Sequence, residues 1–423
     1  MRILFLSQFY RDENQPTSGR YHHHVKALAD AGHRVTVVST FVAHNIREVP
    51  EEYRGVVMRR EERPTGPVWL VWAKPHYTER VWSRMANYWS FCGLALLAGL
   101  RAKRDFGGFD LVMTHSTPLF TGPVGWLLAK RYRAAMLFEA ADLWPDAVVA
   151  LGVMNPASPF IRAAYALERW VYRRADKLVT VSEAMSAAMA EKAPPGTRVE
   201  TVTNGFDAHV FADPQPDRLP DLAPPPGVFQ VMYIGTHGHN NALEHVVEAA
   251  RILRDVHLRD DIRIVLVGAG EQRDALMAQA AGHGLDRDRI WFYGPVPRNR
   301  VADALANCHA MVRSSRSHPY HRVELQNTLF DNLAAGVPVV TPDNQENARV
   351  AEAAGAGILY RSEDPADLAR ALMEVADLPE ETRAEMGRRG AAYVREHFDR
   401  RVITEKLERI CVETVAAKVR AAA

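Results

Sequence analysis

The chain has 423 residues, of which 47% are hydrophobic and 24% charged, with a formal net charge of +1. That length exceeds one ordinary core and calls for two domains of roughly 200 residues each. The charge balance offers no global field for nucleic acid, so none is expected as a partner. Three cysteines, Cys92, Cys308 and Cys411, stand far apart, which argues against a disulfide framework or a zinc cluster and fits a reducing compartment.

The amino terminus, MRILFLSQFYRDE, is apolar only from Ile3 to Leu6 before charge follows, so it reads as a buried strand and not as a signal peptide. A cytoplasmic protein is expected. Residues 2–7, 33–39, 110–114, 134–140, 177–182 and 199–204 have strand character, and helical patterns fill the gaps between them. Short apolar strands alternating with helices predict a parallel sheet covered on both faces. The block 85–100, MANYWSFCGLALLAGL, is free of charge but falls short of the ~20 residues of a membrane span. Two readings stay open for it: a buried helix with basic ends, or a helix that touches an anionic membrane through Trp69, Trp72, Trp82, Trp89 and flanking arginines.

Residues 213–227, DPQPDRLPDLAPPPG, have stiff linker composition and mark the expected boundary. The reading assigns 1–212 to a first Rossmann-like domain, 213–227 to the linker, 228–398 to a second such domain and 399–423 to a helix returning to the first. Strands at 228–235, 262–268, 289–294, 310–315, 337–341 and 356–360 repeat the alternation. The fold class is therefore α/β, with two doubly wound domains facing across a cleft. Ligands of such sheets bind outside the carboxyl ends of the strands.

Several motifs fall at those ends. Ser18-Gly19 precedes a helix, where backbone N–H groups favour negative charge, although an ordinary cap would look the same. His22-His23-His24 point about 100° apart on a helix and cannot converge on one metal ion. His115 lies just past a strand. In FEAADLWPDAVVALG, Glu139, Asp142 and Asp146 sit beside Trp144-Pro145; a carboxylate there suits a hydroxyl or proton contact, or caps a helix. Gly235 and Gly238, within YIGTHGHNN, permit close approach to phosphate, yet no GxGxxG fingerprint is present.

The stretches SGRYHHHVKALADAGHRVTVVS, FEAADLWPDAVVALG, LERWVYRRADKLVTVSEAM, VETVTNGFDAHVF, YGPVP and NTLFDNLAAGVPVV together resemble family-4 retaining glycosyltransferases of the GT-B fold. The resemblance runs over nearly the whole chain, and the Asp-Leu-Trp-Pro segment is closest to bacterial enzymes that add N-acetylfucosamine-type sugars in surface-polysaccharide assembly. It implies a nucleotide-diphosphate sugar donor, most simply UDP-linked, held mainly by the second domain. The acceptor, a glycan, a lipid-linked molecule or a small molecule, is held mainly by the first. Neither metal nor cofactor is implied. The enzyme would be a hexosyl- or N-acetylhexosaminyltransferase, cytoplasmic or peripheral on the inner membrane face.

On that carry-over His115 and Asp142 face the transferred sugar and the acceptor, and Ser18 and Gly19 face the donor phosphate. Gly235, Thr236, His237, Gly238 and His239 line the pyrophosphate, Val296 meets the base, and Asp331 binds the ribose hydroxyls. Glu324, Asn327, Thr328 and Leu329 complete the donor stretch. The sequence departs from the family there: its first acid is expected at Val323, with Glu324 one residue off, and its phosphate-binding lysine is Thr328. Arg313 and Arg316, with the nearby Arg322, are the candidate replacements, and His237 and His239 are further candidates to contribute. The alternatives are a nucleotide-sugar-binding protein whose catalysis has decayed and a nucleotide-sugar 2-epimerase.

Overall fold

The computed structural model describes residues 1–10, 19–42, 49–75, 81–116, 118–150, 152, 154–318, 322–343 and 345–422. The chain forms two units, one of Met1–Thr203 with Ile403–Ala423 and one of Asn204–Val402.

The first unit is built on eight strands: β1 (Arg2–Leu6), β2 (Arg34–Thr40), β3 (Met58–Arg63), β4 (Gly66–Val71), β5 (Leu111–Ser116), β6 (Ala135–Ala140), β7 (Lys177–Thr180) and β8 (Val199–Thr201). Their order is β3-β4-β2-β1-β5-β6-β7-β8, and every pairing is parallel except β3 with β4. In β1 the side chains of Ile3, Leu4, Phe5 and Leu6 are all fully buried, on both faces of the strand, as a sheet covered on each side requires. The helices of this unit are α1 (Arg20–Asp30), α2 (Val81–Arg101), α3 (Lys103–Phe106), α4 (Thr121–Tyr132), α5 (Asp146–Ala150), α6 (Pro159–Tyr172) and α7 (Glu183–Lys192). Local chemistry starts α6: the Ser158 hydroxyl accepts from the Ile161 N–H at 3.2 Å, with Pro159 in the first turn.

The β3–β4 hairpin is absent from the sequence reading. MRREER has no apolar alternation, because β3 is an edge strand whose charged, half-exposed side chains blunt the edge. The hairpin also turns Trp69 inward. That ring is 6% exposed and its Nε1–H donates to Asp105 at 2.9 Å, so it is not available to a membrane.

The second unit carries β9 (Phe229–Ile234), β10 (Ile262–Val267), β11 (Ile290–Tyr293), β12 (Ala310–Val312), β13 (Val339–Pro342) and β14 (Gly357–Tyr360), all parallel, in the order β11-β10-β9-β12-β13-β14. Its helices are α8 (Leu243–Asp255), α9 (Arg273–Gly282), α10 (Val301–Leu305), α11 (Asn327–Ala334), α12 (Gln345–Ala353), α13 (Pro365–Asp377) and α14 (Glu380–Phe398). The strand order reverses between β9 and β12, the point at which doubly wound sheets open a crevice at their carboxyl ends.

The last helix, α15 (Arg400–Ala422), sends Ile403, Leu407, Ile410 and Cys411 into the core of the first unit, beside Phe5, Val25, Leu28 and Met113. The proline-rich stretch 213–227 lies inside the second unit. Leu222 there is fully buried, the Gln215 N–H donates to Asp303 at 2.7 Å, and the Pro216 carbonyl accepts from Asn307. Those contacts tie the prolines to α10, and the chain changes unit about ten residues earlier, between Thr203 and Asn204.

Candidate functional site

In the second unit, β9 and β10 are neighbours, and each ends in a glycine turn. A Cβ on Gly268 would stand 1.9 Å from the Gly235 carbonyl oxygen, and one on Gly270 would stand 2.4 Å from that of His237. Only glycine lets the two turns press together. Beside them opens a cavity of about 390 Å³ lined by Gly235, Thr236, Val296, Arg298, Thr328 and Asp331.

Asp331, on α11, is largely buried, and both of its oxygens accept from Arg298: Nη2 donates to Oδ1 at 2.8 Å and Nη1 to Oδ2. This bidentate fork orients the carboxylate and leaves lone pairs for a ligand hydroxyl. The Arg298 side chain is half exposed.

Arg313, just past β12, is buried. Its Nη1 donates to the Thr328 hydroxyl at 2.7 Å and its Nη2 to the Gln326 side-chain oxygen, while the Tyr360 hydroxyl donates to the Arg313 carbonyl at 2.8 Å. Burial pulls the guanidinium down to about 10, so it stays charged at neutral pH, with those side-chain bonds going to neutral oxygens. Arg316 is differently placed. It donates to Glu244 at 2.5 Å, to Glu363 at 3.5 Å and to the His239 carbonyl at 2.9 Å, so two carboxylates already answer its charge. His237 is fully buried, with neither ring nitrogen hydrogen-bonded among the described residues. Burial, helped by the Arg273 charge, lowers its pKa to about 4 and keeps it neutral.

Five of the donor residues expected from sequence therefore meet in one cavity: Gly235, Thr236, Val296, Thr328 and Asp331. Arg313 joins them through Thr328. The others stand apart from that lining. Gly238 leads into a short 3-10 turn over His239–Asn241, Asn327 is exposed at the start of α11, and Leu329 is a core side chain. The Glu324 carbonyl accepts from Asn347 at 3.1 Å. Ser18 lies outside the described residues. Sequence reasoning missed Arg298; its signal was the arginine two positions after Val296 in YGPVPRNR.

In the first unit, Gly19 caps α1 and delivers Arg20 to Glu139, a fully buried carboxylate on β6; Nε donates to Oε1 at 2.6 Å. His115 Nδ1 stands 3.3 Å from Oε2 of the same carboxylate, and His24 Nδ1 3.9 Å. Burial alone would push the Glu139 carboxyl up. Arg20 and the two imidazoles outweigh it and hold the group below the usual carboxylate range. His115 is 1% exposed, with its ring 4.3 Å, centroid to centroid, from both Phe5 and Tyr21. It thus belongs to a buried, charge-balanced cluster at the strand ends, while Asp142, three residues past Glu139, is exposed. Asp146 is engaged by Lys192 and by the Tyr165 hydroxyl, the latter at 2.8 Å.

Two doubly wound units, the second with a carboxylate–arginine cavity at its strand ends, suit a protein that takes a nucleotide-type ligand at the strand ends. Residues 18–205 match the family model described as "Glycosyl transferase 4-like domain" and residues 228–377 the model "Glycosyl transferases group 1", so the chain is a glycosyltransferase of the GT-B fold. It is 26% identical to the glycogen synthase of Mycobacterium tuberculosis (strain CDC 1551 / Oshkosh), over 100% of this chain and 95% of that protein. It is 30% identical to the putative colanic acid biosynthesis glycosyl transferase WcaI of Escherichia coli K12, over 61% of this chain and 64% of that protein. Among solved structures, HepE of Anabaena in complex with UDP and glucose superposes with a TM-score of 0.66 at 16% identity, covering 98% of this chain and 100% of that one.

Proposed function

We propose that this protein transfers a hexosyl or N-acetylhexosaminyl group, with retention, from a UDP-linked sugar to an acceptor hydroxyl in bacterial surface-glycan or glycoconjugate synthesis. The observation that carries the donor half is the cavity holding Asp331, Thr328, Val296 and Gly235-Thr236 together, with the buried Arg313 guanidinium on Thr328. In this reading Asp331 accepts the ribose hydroxyls, the Gly235-Thr236 turn approaches the pyrophosphate, and the backbone at Val296 meets the base. Arg313 takes the place of the lysine. Its charge answers the developing diphosphate as the bond from the anomeric carbon to phosphate oxygen breaks and its electron pair leaves on that oxygen. The acceptor oxygen attacks from the same face, and its proton passes to the phosphate. HepE, solved with UDP and glucose, supports the choice of donor, and the colanic acid relative supports the choice of pathway class.

His115 and Asp142 are proposed for the sugar and acceptor side, with Asp142 the accessible carboxylate and His115 acting through the cluster around Glu139. Calorimetric titration with UDP, GDP and ADP tests the donor assignment. Saturable UDP binding is expected, weakened in Asp331→Asn by about 1.5–3 kcal/mol through lost charge-assisted hydrogen bonds. Absence of binding by any of the three nucleotides at millimolar concentration refutes it. Product analysis with UDP-sugars then separates transfer to an acceptor from 2-epimerisation and from binding without turnover.

A further inference from the structure

Helices α2, α4 and α6 lie side by side. Trp89 of α2 meets Phe120 at the start of α4, ring centroids 6.2 Å apart. At the other end of α4 the Tyr132 hydroxyl donates to the Gly99 carbonyl of α2 at 2.7 Å. Trp126 of α4 meets Trp170 of α6 edge to face at 5.1 Å. The outer surface of this layer has two unusual properties. First, of the eleven large hydrophobic side chains exposed among the described residues, five are here: Trp82, Trp89, Leu97 and Leu100 on α2, and Leu127 on α4. Trp82 is 73% exposed and Trp89 51%; their spacing, continued by Leu100, places all three on one stripe of the helix.

Second, the layer has no exposed carboxylate. Residues 81–104 and 118–133 contain no acidic residue, and Glu168, the one acid of 159–174, is buried and held by Lys192 and Tyr172. Cations are plentiful by contrast, among them Arg101, Arg104, Lys130, Arg131, Arg162 and Arg169. In a chain of net charge +1 this is a local excess of one sign. Cations in the last turns of α2 and α4 also suit the helix dipoles, but dipoles account for neither the exposed indoles nor the missing carboxylates.

We propose that this face docks on an anionic lipid bilayer, with Trp82 and Trp89 in the interfacial layer and the basic residues against the headgroups. Apolar exposure ringed by cations is the complement of such a surface and disfavours a neutral protein partner. Among the described residues no helix is long and apolar enough to cross a membrane, so the contact is superficial. A cavity of about 700 Å³ at the ends of α4 and α6 extends the face. Trp126, Lys130, Arg133, Arg174 and Val419 line it, with Lys418 already paired to Asp176, and the Lys130 ammonium stands 4.4 Å above the Trp126 ring. A headgroup phosphate fits its cations and the glycerol its apolar wall.

Flotation of the full chain with vesicles of equal parts phosphatidylglycerol and phosphatidylcholine, against phosphatidylcholine alone, tests the proposal independently of the donor assignment. Recovery with the anionic vesicles only is expected, falling as salt rises. Lys130→Gln with Arg131→Gln should lower partitioning about thirty-fold at low ionic strength, from roughly 1 kcal/mol per cation. Trp82→Ser with Trp89→Ser should abolish the blue shift of tryptophan emission on vesicle addition, whereas Arg409→Gln, on the exposed side of α15, should change neither. All these side chains are exposed, so unaltered circular dichroism and melting are expected and are checked alongside. Equal recovery with neutral vesicles, no recovery with either, or anionic binding unchanged in both double variants overturns the proposal. So does capture by a DNA duplex without vesicle binding.

Discussion

At the scale of single residues the cavity proposed for the donor turns on two arginines with different partners. Arg298 is bound to a carboxylate, whereas the side-chain hydrogen bonds of Arg313 go to Thr328 and Gln326, which carry no charge. A guanidinium whose side-chain hydrogen bonds go to neutral oxygens is the one proposed above to meet the diphosphate. Arg313→Met, which keeps an unbranched stem of similar length and removes the charge, is therefore expected to weaken UDP binding at least tenfold while leaving uridine affinity within twofold; titration of both ligands checks this. Parallel losses for the two would assign Arg313 to structure and not to phosphate. His237 gives a pH prediction. Its folded pKa is depressed to about 4 from an ordinary 6.5, by burial first and by Arg273 second, so the unfolded state takes up the proton first. Stability is full above about pH 6.5 and declines as pH falls from there toward 4. Urea unfolding at several pH values should show that slope, and His237→Gln should flatten it.

At the scale of elements the glycines decide which turns and helices can approach each other. Gly268 has φ +144° and lies against the Gly235 carbonyl, so Gly268→Ala must separate the β9 and β10 turns. The expected outcome is a cavity too distorted for UDP, with affinity reduced at least tenfold and a second unit that still folds, read by titration and circular dichroism. Gly125 does the same for α4: a Cβ there would sit 2.1 Å from Thr114 Cγ2 on β5. Gly125→Ala should cost about 1–3 kcal/mol of stability by overpacking, measured by denaturant titration. The strands around these glycines were legible in the sequence, because runs such as MRILFL and IRIVLVG carry their own burial pattern. The β3–β4 hairpin was not, since an edge strand is recognised by its partner and MRREER has no apolar face of its own.

At the scale of the molecule the chain leaves the first unit after Thr203 and re-enters it at Ile403. Four buried residues of α15, Ile403, Leu407, Ile410 and Cys411, then complete the core against α1 and the sheet. Removing 403–423 would expose the opposing surface of Phe5, Val25 and Leu28, at about 1.5–3 kcal/mol for each large apolar side chain uncovered. The truncated chain is expected to lose cooperative unfolding of the first unit while the second still melts later in the presence of saturating UDP, since a ligand at 100 times its Kd adds about 2.7 kcal/mol to the unit that binds it. Scanning calorimetry with and without UDP distinguishes the two transitions.

The sequence by itself determined the alternation of strands and helices, the α/β class and the segments that carry Gly235, Val296 and Asp331. Each rests on periodicity or turn chemistry within a few residues. Tertiary structure decided what those residues do to one another. Arg298 reaches Asp331 across 33 residues, and Arg313 reaches Thr328 across 15. Arg20 finds Glu139 from 119 residues away, and the proline-rich stretch that reads as a stiff linker is tied down by Asp303 and Asn307. Local pattern encodes which face of an element is apolar, but the convergence of distant charges depends on how those faces stack. For that reason the sequence offered several nearby cations for the place beside Thr328, and only the tertiary structure, through the hydrogen bond from Arg313, showed which one stands there.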